Sequence, residues 1–153
     1  MKVRLIFNNI IPFNGFKAIT IWPWVFVRKD ASKWTLTDER HETTHLCQQE
    51  EVMAISAIIL SLLSFLAVVS WWWLLFAPFA FYLFYLLEWL IRIALYGFDS
   101  KLAYYNIGFE QEAYLHQDTV GYNDGRKKMA WCRYLFKKSF VRDKNTHRIV
   151  KRQ

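Results

Sequence analysis

Cysteine is nearly missing from this chain: Cys47 and Cys132 are the two among 153 residues. Two thiols cannot form the disulfide framework of a small secreted domain, and their scarcity points to a reducing compartment. Features of a secretory leader are missing too. Met1-Lys2-Val3-Arg4 leads into a short apolar run broken by Asn8 and Asn9, with no small-residue cleavage site. The largest absence is of charge, since residues 52–87 contain no Asp, Glu, Lys or Arg. As one helix that stretch would be about 54 Å long, against a bilayer hydrocarbon core of about 30 Å. Two spans joined by a tight turn fit better. The first covers roughly residues 52–69, the break lies near residues 70–78, and the second runs to Tyr96. Trp71, Trp72 and Trp73 suit the far membrane interface.

The rest of the composition agrees with an apolar block flanked by polar ends. Hydrophobic residues make up 54%, aromatics 19% and charged residues 22%, with a formal net charge of +7 and a pI near 9.5. Such a charge suits nucleic acid or an anionic membrane surface. The apolar block favours the membrane, and no nucleic-acid recognition motif is present. Seven basic residues precede the first span and twelve follow Gly97, while the connection between the spans has none. The positive-inside rule then puts both ends of the hairpin on the cytoplasmic side of an inner or plasma membrane. Glu88 and Arg92, four apart, are expected to pair on one face of the second helix.

Ahead of the apolar block, residues 3–7, 16–22 and 24–29 are β-branched and aromatic and predict short strands. The Pro12-Phe13-Asn14-Gly15 stretch is a turn signal, and Trp34-Thr35-Leu36 is a further extended piece. Pro23 confines its surroundings to a turn or an edge strand. These strands form a small sheet covering the next helix, with an edge able to take an extended peptide. Thr37 then reads as an N-cap, with Asp38 and Glu39 in the first turn where the helix dipole favours acids.

On that helix lies His41-Glu42-Thr43-Thr44-His45, an HExxH pattern. Residues four apart share a helix face, so both imidazoles can reach one zinc ion, which takes nitrogen ligands at about 2.0–2.1 Å. Glu42 stands beside the first ligand, placed to take a proton from the attacking water. A third protein ligand is needed, and Asp99, Glu110, Glu112, His116 and Asp118 are the downstream candidates. Residues 106–114 read as a helix start on the return side of the hairpin, so Glu110 or Glu112 can meet the histidines. Two apart, these glutamates diverge by about 200° on a helix. One would bind the metal and the other orient a histidine or face solvent.

HExxH followed by a downstream Glu-x-x-Ala segment resembles the gluzincin type of zinc peptidase. In that pattern the first glutamate of the later segment is a ligand, and Glu110-Gln111-Glu112-Ala113-Tyr114 therefore nominates Glu110. Tyr114 stands where the family has Asp or Asn. The order of HExxH, two membrane helices and then the glutamate is similar to HtpX-type membrane peptidases, and residues 88–92 and 109–114 look like those of small HExxH proteins. The resemblance implies a zinc-dependent membrane metalloprotease acting on peptide or protein substrates. A site-2-type intramembrane protease, with Asp99 as third ligand, is a rival. A non-catalytic membrane scaffold with a degenerate HExxH is another.

The expected architecture is thus α+β in one membrane-anchored domain. Residues 1–36 form a small β region, 37–51 the HExxH helix, 52–97 the membrane hairpin and 98–122 the third-ligand helix. Residues 123–153 complete it as a basic amphipathic helix, over 126–140, and a frayed tail, with anionic lipid as its partner.

Overall fold

The computed structural model describes residues 3–13 and 15–152, so Asn14 of the expected turn lies outside the described residues. Three short strands come first: β1 (Arg4–Asn8), β2 (Ala18–Ile21) and β3 (Trp24–Arg28). They pair in the order β1-β3-β2, with β1 parallel and β2 antiparallel to β3. Alternation turns Val25 and Val27 inward, where they pack with Leu5 and Ala18 on Leu46 of the following helix.

That helix, α1 (Leu36–Phe65), runs for 30 residues without interruption. It starts two residues earlier than Thr37 suggests. Thr35 is the N-cap: its side chain accepts from the Asp38 N–H at 3.2 Å, and the Asp38 carboxylate accepts from the Thr35 N–H at 2.7 Å. Such a reciprocal box requires cap and acid three apart, which Thr35 and Asp38 satisfy. The expected extended piece at Trp34-Thr35-Leu36 is therefore the helix entry.

The burial of α1 changes along its length. Thr43, Thr44, Gln48 and Gln49 are buried, whereas Ile58, Leu62 and Phe65 are exposed. A 3₁₀ segment (Trp71–Phe79) then folds back along α1 and leads into α2 (Ala80–Leu95). Pro78, lacking an N–H, marks this change of helix type. Leu36–Phe65 and Trp71–Leu95 are both long and apolar enough to cross a membrane. Along α2, Phe81, Tyr82, Tyr85 and Arg92 face the protein, while Leu83, Leu87, Leu90 and Ile91 are exposed.

Two short helices carry the returning chain, α3 (Ser100–Tyr105) and α4 (Gly108–His116). Glu88 and Arg92 do form their ion pair, at 2.6 Å, and each then bonds outward. The Glu88 carboxylate accepts from the Gly108 N–H at 3.0 Å, satisfying an orphan amide at the start of α4. Arg92 donates to the carbonyls of Tyr134, Leu135 and Lys137.

Those contacts bear on a segment that differs from expectation. Residues 126–140 form no amphipathic helix. A four-residue helix α5 (Tyr122–Gly125) is followed by extended backbone at Arg126, a left-handed Met129 and a 3₁₀ turn (Ala130–Tyr134). The carbonyls at 134 and 137 accept from Arg92 and from Gln111 of α4. Nor is the tail frayed. β4 (Phe140–Arg142) and β5 (Ile149–Lys151) make an antiparallel hairpin, joined to α3 where Asn106 exchanges two 3.0 Å bonds with the Phe140 backbone.

Arg92 thus holds residues 134–137 to α2 from a buried position. Replacing it (Arg92→Leu) removes the cation paired with buried Glu88 and leaves the Leu135 carbonyl without its side-chain donor. Loss of one partner from a buried pair costs about 3–5 kcal/mol, and denaturant unfolding of the detergent-solubilised protein will show a loss of that size. Unchanged stability would contradict this role.

Candidate metal centre

α1 and α4 cross so that Glu110 faces the one-turn step between His41 and His45. The His41 Nε2 and His45 Nε2 atoms lie 3.2 Å apart. Glu110 Oε2 is 3.5 Å from His41 Nε2 and Glu110 Oε1 is 3.3 Å from His45 Nε2. A tetrahedral ion with bonds of about 2.0–2.1 Å has edges of roughly 3.3–3.4 Å. All three residues are buried, with ligand atoms within 4.8 Å of one another, and the group could hold a metal ion.

Two further observations fit a cation here. Glu110 Oε2 is buried without a hydrogen-bond donor among the described residues, an arrangement native interiors seldom tolerate unless an ion or water completes it. Both imidazoles are also turned the same way. His41 Nδ1 meets Gln117 Oε1 at 3.2 Å, and His45 Nδ1 meets Gln48 Oε1 at 2.8 Å. An amide oxygen only accepts, so each Nδ1 donates its proton to that oxygen and each Nε2 is turned toward the shared point.

A buried polar chain holds His45 from behind. Gln48 donates to Glu112 Oε2 at 2.9 Å and to the Phe109 carbonyl. Glu112 accepts from Arg126 at 2.6 Å and from the Tyr122 hydroxyl at 2.8 Å, and Arg126 also pairs with Glu51. The two glutamates therefore divide as the helical angle requires: Glu110 joins the histidines, and Glu112 orients one of them through Gln48. Tyr85 of α2 donates to Glu110 Oε1 at 2.8 Å and fixes the carboxylate plane.

Other candidates stand elsewhere. Asp99 caps α3 and pairs with Arg142; Asp118 accepts from Thr37. His116 stacks on Tyr122 and meets the Tyr134 hydroxyl. Tyr114 lays its ring against His41 at 4.5 Å between centroids, and Gln117 makes the polar contact to that histidine. Sequence reasoning missed Gln48, Gln117, Thr20 and Tyr85. Of these, Gln48 carried a usable signal, because it lies three residues past His45 on the same helix face.

Glu42 is held beside the group by the Thr20 hydroxyl of β2, which donates to its carboxylate at 2.5 Å. It borders a cavity of about 860 Å³ that also touches His41, His45 and Glu110. Aromatic side chains from α2, α3 and α4, including Tyr85, Trp89, Tyr104 and Tyr114, line one wall, and β2 lines the other. The Arg28 N–H bonds the Lys17 carbonyl, which sets the phase of the β2–β3 ladder. Ala18 and Thr20 accordingly turn their peptide groups away from β3. The Thr20 carbonyl is taken by Gln49 and Tyr82, and Ala18 borders the cavity at the open edge.

No family model, curated protein or solved structure matches the chain.

Burial opposes a charge on His45, but the adjacent Glu110 carboxylate overrides it and pushes the imidazole up to about 9. The same contact holds Glu110 well below the usual carboxylate range against its own burial. A ligand histidine must be neutral, so an ion binding at pH 7.5 displaces the His45 proton. Titration calorimetry in buffers of different ionisation enthalpy will show about one proton released per zinc at that pH. Affinity will rise about tenfold per pH unit up to pH 9 and then level off. Buffer-independent heats would contradict the pairing.

Proposed function

We propose that this chain is a membrane-associated, zinc-dependent metallopeptidase. The observation that carries the reading is the convergence of His41, His45 and Glu110, one ligand atom of each within 4.8 Å of the others, with Glu42 at the rim of the same cavity. Zinc, when bound, supplies a Lewis acid that polarises the scissile carbonyl and acidifies water. His41, His45 and Glu110 hold it, and their burial leaves the cavity side as the direction of approach. Glu42, positioned by Thr20, takes the proton of the attacking water and returns it to the leaving amine. The free edge of β2 beside Ala18 supports an extended peptide as substrate, bound by strand addition along the cavity.

The setting we propose is the cytoplasmic face of an inner or plasma membrane, with the hairpin of α1 and α2 as the anchor. The basic excess on both flanks of the hairpin supports that orientation.

Glu42→Gln removes the base while leaving the three ligands in place. Zinc content should stay at the wild-type level and hydrolysis of a casein or quenched-peptide substrate should fall by roughly 10²–10⁴-fold. Unchanged turnover would reject the mechanism. Zinc in both forms with hydrolysis in neither would instead favour a metal-stabilised membrane scaffold.

A further inference from the structure

We propose that the turn between β2 and β3, Trp22-Pro23-Trp24, is a third membrane contact, seated in the headgroup–acyl boundary of the leaflet nearest the metal group. Trp22 and Trp24 are 41% and 42% exposed, at the tip of a sheet whose Val25 and Val27 pack on Leu46 of α1. A polar turn would be expected there if the tip faced water. Indole rings instead favour the boundary, where an apolar body and an N–H donor are both accommodated.

The depth of this turn is set by α1. Gln49 clamps it with both ends of its side-chain amide. Its Oε1 accepts from the Trp22 N–H at 2.8 Å, and its Nε2 donates to the Thr20 carbonyl at 2.8 Å. Gln49 lies just before Glu51, the last charged residue of α1, and the charge-free run starts at Val52. The two indoles are therefore level with the point at which α1 becomes apolar. From Gln49 to Phe65 the helix rises about 24 Å, and the exposed Trp71, Trp72 and Trp73 follow beyond its end. Two indole belts then bracket a layer comparable with the hydrocarbon core of about 30 Å. Strand pairing sets Arg4 beside Trp24. Arg4 is exposed, a cation positioned for lipid phosphate where an aromatic anchor ends.

One consequence concerns the metal group. His45 is four residues before Gln49 on α1, hence about 6 Å from the boundary on the polar side. The sheet, rather than the hairpin alone, holds it at that height. This placement rests on the membrane reading of the hairpin and is independent of any catalytic role.

The test uses full-length protein in phosphatidylcholine–phosphatidylglycerol vesicles, spin-labelled singly at Trp22→Cys, Leu62→Cys or Lys144→Cys in a Cys47→Ser/Cys132→Ser background. Collision with oxygen against a water-soluble nickel chelate reports depth. Position 62 lies on the hairpin and position 144 in the β4–β5 turn. The proposal expects the oxygen preference at 22 to approach that at 62 and to exceed that at 144. A label at 22 matching 144, with 62 in lipid, overturns it. A nickel-accessible label at 62 overturns the hairpin reading beneath it. A conservative Trp22→Phe/Trp24→Phe variant gives a second readout. Its tryptophan emission should be quenched by acyl-brominated lipid to a smaller fraction than wild type; an equal or larger fraction overturns the proposal.

Discussion

The contact of the Glu110 carboxylate with the imidazoles of His41 and His45 is the constraint on which the surrounding packing depends. Bringing a carboxylate to 3% exposure is unfavourable unless its charge is met. Here α4 is held against α1 so that the His41 imidazole lies beside Oε2 and the His45 imidazole beside Oε1, where the Tyr85 hydroxyl also donates. α2 takes part through the same tyrosine and through Glu88, which caps α4. The position of the group thus couples three helices, and a change in any of them moves a ligand or its support.

α1 is inverted along its length relative to an ordinary amphipathic helix. Its first half buries Thr43, Thr44, Gln48 and Gln49, each with a hydrogen-bond partner, while its second half exposes Ile58, Leu62 and Phe65. In water the second arrangement would leave an extended apolar surface uncovered. In a bilayer it is the stable one, because lipid covers the apolar half and the polar half is satisfied within the protein. One continuous helix therefore joins the exposed apolar half to the His41–His45 step without a hinge.

What was legible in the chain follows from how local its cause is. The four-residue step from His41 to His45 is a property of any α-helix, and the charge-free run is a property of composition. Both were readable, as were the three strands. The choice of Glu110 over Glu112 came from a family resemblance, since helical periodicity alone showed only that the two must diverge. The cap was misplaced by two residues because Thr35 and Thr37 are both acceptable caps, and only the reach of Asp38 separates them. Residues 126–140 carry a helical pattern of apolar and basic residues, yet Arg92 and Gln111, far earlier in the chain, bond the carbonyls of Tyr134 and Leu135. Gln117 and Tyr85 became visible only once α4 and α2 were packed against α1.

The central claim is that His41, His45 and Glu110 form one metal site. Elemental analysis of the full-length protein, purified in detergent without chelator and given zinc before gel filtration, tests it most directly when paired with Glu110→Ala. The account predicts about one zinc per wild-type chain, as a closed set of three protein ligands would retain, and little above background in the variant. A wild-type chain free of zinc, or a variant that holds as much, would contradict it.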